Sequence, residues 1–176
     1  DYPGKKLLFN LAIGTMIIPS DVLMVQNYFT VAGMGLLNTY MGMMVIFFVS
    51  AMNIFVIRQY FLSYSVSLKE AAHIDGCGNL RFFLRILLPT TTPALATVFI
   101  SSFVGTWNTY LWPLIVTNVN EMRTAQVAIT MLNSEASNDY GVVMAAATII
   151  LIPSILVFVI FQRKIVGGLM GGAVKG

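Results

Sequence analysis

Four apolar runs divide the chain, covering residues 7–29 (LLFNLAIGTMIIPSDVLMVQNYF), 39–57 (TYMGMMVIFFVSAMNIFVI), 93–116 (PALATVFISSFVGTWNTYLWPLIV) and 141–162 (GVVMAAATIILIPSILVFVIFQ). A helix needs about 20 apolar residues to cross the hydrocarbon core of a bilayer. Each run is therefore of crossing length. None shows the sustained alternation of a membrane β-strand, and backbone amides facing lipid must pair within their own segment, so the pattern predicts helices. The expected fold is all-α, a polytopic transmembrane helical bundle with four spans in this stretch.

Two polar intervals separate the runs. The longer, about 58–92, contains SLKEAAHIDGCGNLRFFLRILLP at residues 67–89. Ser67 followed by Glu70 has the spacing of a capping box, which satisfies amides left over at a helix start. The box predicts a helix from Leu68 to Asp75, stopped by Gly76 in the left-handed conformation. Gly78 and Asn79 then open a second helix over LRFFLRILL, closed at Pro89 because proline lacks an amide hydrogen. Phe82, Phe83, Ile86 and Leu87 of that helix suit an apolar surface, with Arg81 and Arg85 on the wet side. The other interval, about 117–140, is polar and slightly acidic, and the ending GGLMGGAVKG reads as a pliable tail.

Composition agrees with lipid as solvent: of 176 residues, 57% are hydrophobic and 10% charged. Soluble domains carry about 25% charged residues. One cysteine and one histidine exclude a disulfide framework and a histidine-rich metal centre, and no metal site is expected. Charge placement orients the chain. With Lys5 and Lys6 in the cytoplasm and four crossings, Arg58, Lys69, Arg81 and Arg85 share one inner loop, and Arg163, Lys164 and Lys175 an inner tail. Nine of the ten basic residues then lie inside, leaving Arg123 outside. Both ends of the stretch are thus expected in the cytoplasm. Tyr28, Tyr110 and Trp112 fall near expected span ends, where aromatic rings favour the interface. The opening DYPGKKLLFN lacks a signal-peptide layout and an initiator methionine, and it reads as the inside of a longer protein.

Chemistry is sparse. Asp21, Asn53 and Asn108 are polar groups within the apolar runs and are candidates for a permeation path or gate. Ser101 and Gly105, with Ala145 to Ala147, are read first as small packing faces. No phosphate-binding Gly-x-x-x-x-Gly-Lys-Ser/Thr loop occurs, so ATP chemistry would have to come from another subunit. In the inner loop, Glu70 and Asp75 admit a bland reading as cap and turn former. Asp75 nevertheless sits at a helix C-terminus, where the macrodipole disfavours negative charge, an arrangement that a partner's groove could use.

The whole string settles the preference. Glu70-Ala71-Ala72, three residues, Gly76, nine residues, then Ile86-x-Leu88-Pro89 resembles the EAA loop of binding-protein-dependent ABC importer permeases. LLNTYMGMMV (36–45), IRQYFL (57–62), WNTYLWPL (107–114) and GGAVKG (171–176) are similar to the carbohydrate-uptake branch, the permeases of maltose and glycerol-3-phosphate importers. The resemblance implies a transmembrane domain over 1–176, part of a six-span whole, with a coupling loop at 63–89 and a cytoplasmic tail at 163–176. It places Leu68, Glu70, Ala71, Ala72, Asp75, Gly76, Ile86 and Pro89 in ATPase coupling, with Glu70 facing a basic residue. Lys175 and Gly176 would reach toward the ATPase dimer, and the segment around RTAQVAITML toward the solute-binding protein. Cys77 stands where alanine is commoner, a change of little size. The implied partners are an ABC ATPase dimer, a second permease, a periplasmic or lipid-anchored solute-binding protein and membrane lipid, with no nucleic acid. ATP-Mg would sit on the ATPase, no cofactor on this chain, which would be a non-catalytic transport subunit of a bacterial or archaeal cytoplasmic membrane. An ABC permease for a polyamine or amino acid would share the loop but not the other motifs. A secondary transporter would usually show repeated halves, and a membrane enzyme would need clustered catalytic groups.

Overall fold

Proline and hydroxyl-bearing residues decide where the apolar runs break. In a computed structural model, the backbone of residues 3–135 and 140–173 and the side chains of 3–132 and 140–162 are described. The helices are α1 (Lys5–Gly14), α2 (Ser20–Gly33), α3 (Tyr40–Met44), α4 (Ala51–Leu62), α5 (Val66–Ile74), α6 (Asn79–Phe82), α7 (Leu88–Thr90), α8 (Thr92–Trp107), α9 (Leu111–Val116), α10 (Ala125–Glu135) and α11 (Tyr140–Ala173). Among the described residues there is no strand, in line with the all-α expectation.

By length and composition, Tyr140–Gln162 is the one described helix able to cross a membrane unaided, and four crossings are reached if each of three bent pairs is taken as one span. The run 7–29 is not one straight helix, because α1 with its 3-10 extension and α2 meet at 104°. Pro19 is the cause. It offers no amide hydrogen, and it pushes Ile18 into extended backbone (φ −86°, ψ 119°). The run 39–57 is divided between Tyr40–Phe47 and Ala51–Leu62. The run 93–116 is likewise divided, since α8 ends at Trp107 and α9 begins at Leu111. There Asn108 Nδ2 donates to the Val104 carbonyl (2.8 Å) and the Thr109 hydroxyl to that of Gly105 (3.0 Å), while Pro113 cannot continue the ladder. At the other end, α11 continues through Ala173, so the expected pliable tail is helical that far.

Contacts divide the chain into two units, Asp1–Ala51 with Phe103–Leu156, and Met52–Ser102 with Val157–Gly176. The core of the first is Val31, Trp112 and Val116, flanked by Met24, Tyr28, Leu36, Leu37, Met43, Val45, Ile46 and Ile115. Trp112 is only 2% exposed, so the interfacial ring expected from its place near a span end is instead the centre of a core. Its Nε1 donates to the Gly42 and Met43 carbonyls (3.3 and 3.2 Å), where α3 tightens into a 3-10 turn and those acceptors come free. Asn38, in left-handed backbone (φ 56°), donates its amide to the Val116 carbonyl (2.9 Å) and accepts from the Asn118 amide on its side chain (2.6 Å). Elsewhere in this unit, Trp107 Nε1 donates to the Ile150 carbonyl (3.1 Å), three residues before Pro153 in α11.

In the second unit, Asn53 Nδ2 of α4 donates to Ser102 Oγ of α8 (2.8 Å), and Phe99 meets Phe161 at 5.2 Å. Both contacts join helices within this unit.

Candidate functional site: the polar loop between α4 and α8

The loop is a pair of helices closed by one left-handed glycine. α5 begins at Val66, two residues before the expected start, with Ser65 as its N-cap in extended backbone. The capping box therefore does not form. Ser67 lies inside the first turn and donates to Ser65 Oγ (3.1 Å), and Glu70 falls at mid-helix, out of reach of the cap amide. The serine-rich stretch SYSVSLKE offers two starts, and the chain uses the earlier one.

The stop is as expected. Gly76 has φ +75°, the Cys77 amide donates back to Ala72 (2.9 Å) and the Gly76 amide to His73 (3.0 Å). These two bonds form a Schellman motif, which satisfies the last carbonyls of α5. A side chain at Gly76 would be strained by that φ.

Helical spacing sorts the residues of α5 by face. Ser67, Glu70, Ala71 and Ile74, at i, i+3, i+4 and i+7, share a face and all are exposed, Ile74 at 86%. Ala72, 7% exposed, lies on the opposite side with the half-exposed Leu68. The glutamate, small alanine and bare isoleucine thus point away from the chain, whereas Ala72 is spent on internal packing. Asp75 is the C-cap and is exposed, like Gly76. Glu70 makes no side-chain hydrogen bond or ion pair with the described residues.

α6 opens at Gly78 and Asn79 as expected, and Phe82 is its buried anchor while Arg81 and Arg85 are exposed. Pro89 does not close this helix. A π-helical turn, Phe83–Leu87, widens the helix ahead of the proline, and α7 carries on through it to Thr90. The wider turn accommodates a ring that would otherwise strike the carbonyl one turn back. Ile86 is half-buried and Pro89 exposed. Only at Thr91 does the direction change, by 65°, into α8.

The candidate pathway residues divide between the two units, Asp21 and Asn108 in the first and Asn53 in the second. Asp21 is exposed in the first turn of α2, where a negative charge suits the helix dipole. Asn53 is engaged with Ser102, and Asn108 is held by its own helix and by Gln126 Nε2 (3.2 Å). Lys175 and Gly176 lie outside the described residues.

Arg123 carries a liability that the sequence did not reveal: its Nε and Nη1 are shielded from solvent with no hydrogen-bond partner among the described residues. Buried unpaired donors are costly. Arg123→Met keeps an apolar stem and removes them. It is expected to raise stability in detergent by about 1–2 kcal/mol, seen as a higher melting temperature, and a clear fall would show the guanidinium to be paired.

The family model described as "Binding-protein-dependent transport system inner membrane component" matches residues 3–169. The chain is 33% identical over 176 residues to the arabinooligosaccharides transport system permease protein AraQ of Bacillus subtilis (strain 168), covering 100% of this chain and 63% of that protein. It is 36% identical over 171 residues to the sn-glycerol-3-phosphate transport system permease protein UgpE of Yersinia pestis bv. Antiqua (strain Antiqua), covering 96% and 61%. The stretch thus spans somewhat under two thirds of the length of these relatives. Among solved structures, a bacterial ABC transporter involved in the import of the acidic polysaccharide alginate matches with a TM-score of 0.76 at 27% identity, over 92% of this chain and 62% of that one. With nearly every residue inside the family match, the chain belongs to the binding-protein-dependent transport system inner membrane components.

Proposed function

We propose that this chain is the larger part of a permease subunit in an ATP-driven importer of a sugar or sugar-like solute. The observation that carries the reading is the free face of α5, on which Glu70, Ala71 and Ile74 stand exposed on a helix held at its end by the Gly76 turn. An isoleucine left almost bare beside a carboxylate with no partner among the described residues is a face suited to a partner rather than to water. In this reading the partner is an ABC ATPase dimer carrying ATP-Mg. A basic residue of its cleft meets Glu70, and a second permease completes the channel.

The loop and both ends of the stretch lie in the cytoplasm, by the bias of nine of ten basic residues to one side. The opposite side, including the segment around Arg123, meets a solute-binding protein. The chain contributes no catalytic group. When the ATPase closes on ATP, a helix seated in its cleft is carried with it, and the spans joined to that helix turn in response. The solute class rests on the relatives, which are named for arabinooligosaccharides, sn-glycerol-3-phosphate and alginate. Asn53 serves helix packing through Ser102 in this reading, which leaves Asp21 and Asn108 as the pathway candidates.

The test is affinity purification of the tagged full-length permease from native membranes, with mass identification of what accompanies it. An ATPase subunit and a second permease are the expected companions, and ATP hydrolysis should follow them into the eluate. An intact permease recovered with no ATPase would refute the reading.

A further inference from the structure

A helix that ends leaves its last four carbonyls without amide partners, and in or beside a bilayer water cannot be relied on to fill them. At the end of the helix reaching Thr90, the Thr91 amide still serves Leu87 and Leu88, and Pro89 and Thr90 are left to find other donors. Pro93, lacking an amide hydrogen, cannot serve Pro89. All of the last four carbonyls, Leu87, Leu88, Pro89 and Thr90, accept from a hydroxyl. Thr90 Oγ1 donates to Leu87 (2.8 Å), Thr91 Oγ1 to Leu88 (2.7 Å) and Thr92 Oγ1 to Pro89 (2.7 Å). The Thr90 carbonyl accepts a longer bond from the Tyr60 phenol (3.4 Å). Tyr60 belongs to α4, on the other side of the loop, and its ring is held edge-on by Tyr64 at 5.7 Å.

Two donors at this bend are shared between neighbouring acceptors. The Thr91 amide reaches Leu87 (3.0 Å) and Leu88 (3.2 Å), and Thr90 Oγ1 reaches Ile86 (2.7 Å) as well as Leu87. Thr91 itself is 1% exposed, so its hydroxyl works out of reach of water. A donor already bonded to two successive carbonyls can shift its weight from one to the other as the angle changes. Nothing has to pass through an unpaired state.

We propose that Thr90, Thr91, Thr92 and Tyr60 form an articulating joint at the base of the loop, whose hydroxyls move between carbonyls as the bend changes, so that displacement of α5 turns α8. The joint rests on the reading of α5 as the ATPase-docking helix. These four are positioning residues and touch neither solute nor nucleotide. All of them lie within the unit that holds Met52–Ser102.

The test uses the full permease in its purified complex, with nitroxides on Cys77, the one cysteine of the chain, and on a cysteine introduced by Ser101→Cys. Both labels flank the bend within one unit. Distances are measured by pulsed electron resonance with and without ATP and vanadate. In the otherwise unaltered complex, trapping is expected to shift the distance. Thr91→Val keeps the shape and loses the hydroxyl, and Tyr60→Phe loses the phenol. Each is expected to broaden the distribution and to remove at least half of the shift, with the ATPase still co-purifying. Thr91→Ser keeps the hydroxyl and should restore the shift. No shift in the unaltered complex, or both hydroxyl-less variants behaving like it, overturns the joint while leaving the proposed function standing. Absence of a co-purifying ATPase overturns both. If Thr91→Val fails to insert, Tyr60→Phe, at the far end of the set, decides.

Discussion

Trp112→Ala is expected to destabilise the detergent-solubilised protein by about 3–5 kcal/mol, the usual range for deleting a large buried aromatic side chain. Trp112 fills the middle of the Val31, Trp112 and Val116 core and ties two carbonyls of α3 to α9. The neighbourhood cannot relax into the space. Gly42 is pressed so closely against the chain that a Cβ there would collide with the Leu36 carbonyl oxygen, and it would stand 3.3 Å from Val31 Cγ1. Thr39 pins the same turn, accepting from the Gly42 amide (3.0 Å) and donating to Leu36 (2.7 Å). Trp112→Phe separates the two contributions. The ring is largely retained, but the carbonyls of Gly42 and Met43 lose their donor, so a smaller loss of about 1–2 kcal/mol is expected. Thermal melts of the two variants check the order. Equal stability of Trp112→Ala and the unaltered protein would mean that this core is not a core.

Glu70→Lys is expected to abolish solute uptake without altering the amount of protein in the membrane. The carboxylate is exposed and makes no bond within the described residues, and substitutions at such sites shift stability by only about 0.5 kcal/mol either way. In the proposed complex the same change sets two positive charges against each other at a contact. Breaking a desolvated ion pair costs about 3–5 kcal/mol, which is a hundredfold or more in affinity. The paired measurement is uptake and the quantity of ATPase recovered with the permease, and a charge reversal in the ATPase cleft should restore both. Normal uptake by Glu70→Lys at normal expression would show that α5 does not dock through this residue.

The helix breaks show how far local chemistry reaches. Pro19 is visible in the sequence, and so is its effect on Ile18, yet the run still reads as one span because its hydropathy continues across the break. Pro89 misleads in the opposite sense. A proline usually ends a helix, but a single π-turn lets this one pass, and the real bend falls two residues later among three threonines. Those threonines look like ordinary loop residues until the carbonyls they serve are counted. On α5, the pattern Ser67 to Glu70 suggests a capped start at Ser67, but the helix begins after Ser65, whose side chain makes no capping bond, since either serine can turn the backbone.

What the sequence determined by itself is what depends on neighbours within a turn or two: helices under an apolar solvent, the glycine stop at Gly76, and the spacing that gathers Ser67, Glu70, Ala71 and Ile74 on one face. What the tertiary structure alone decided is which distant donor meets which carbonyl. Trp112 finds Gly42 across 70 residues, Trp107 finds Ile150 across 43, and Tyr60 finds Thr90 across 30. Under lipid, buried and exposed apolar positions carry the same residue types, so hydropathy cannot tell the core tryptophan from an interfacial one. Only packing brings the donor to the acceptor.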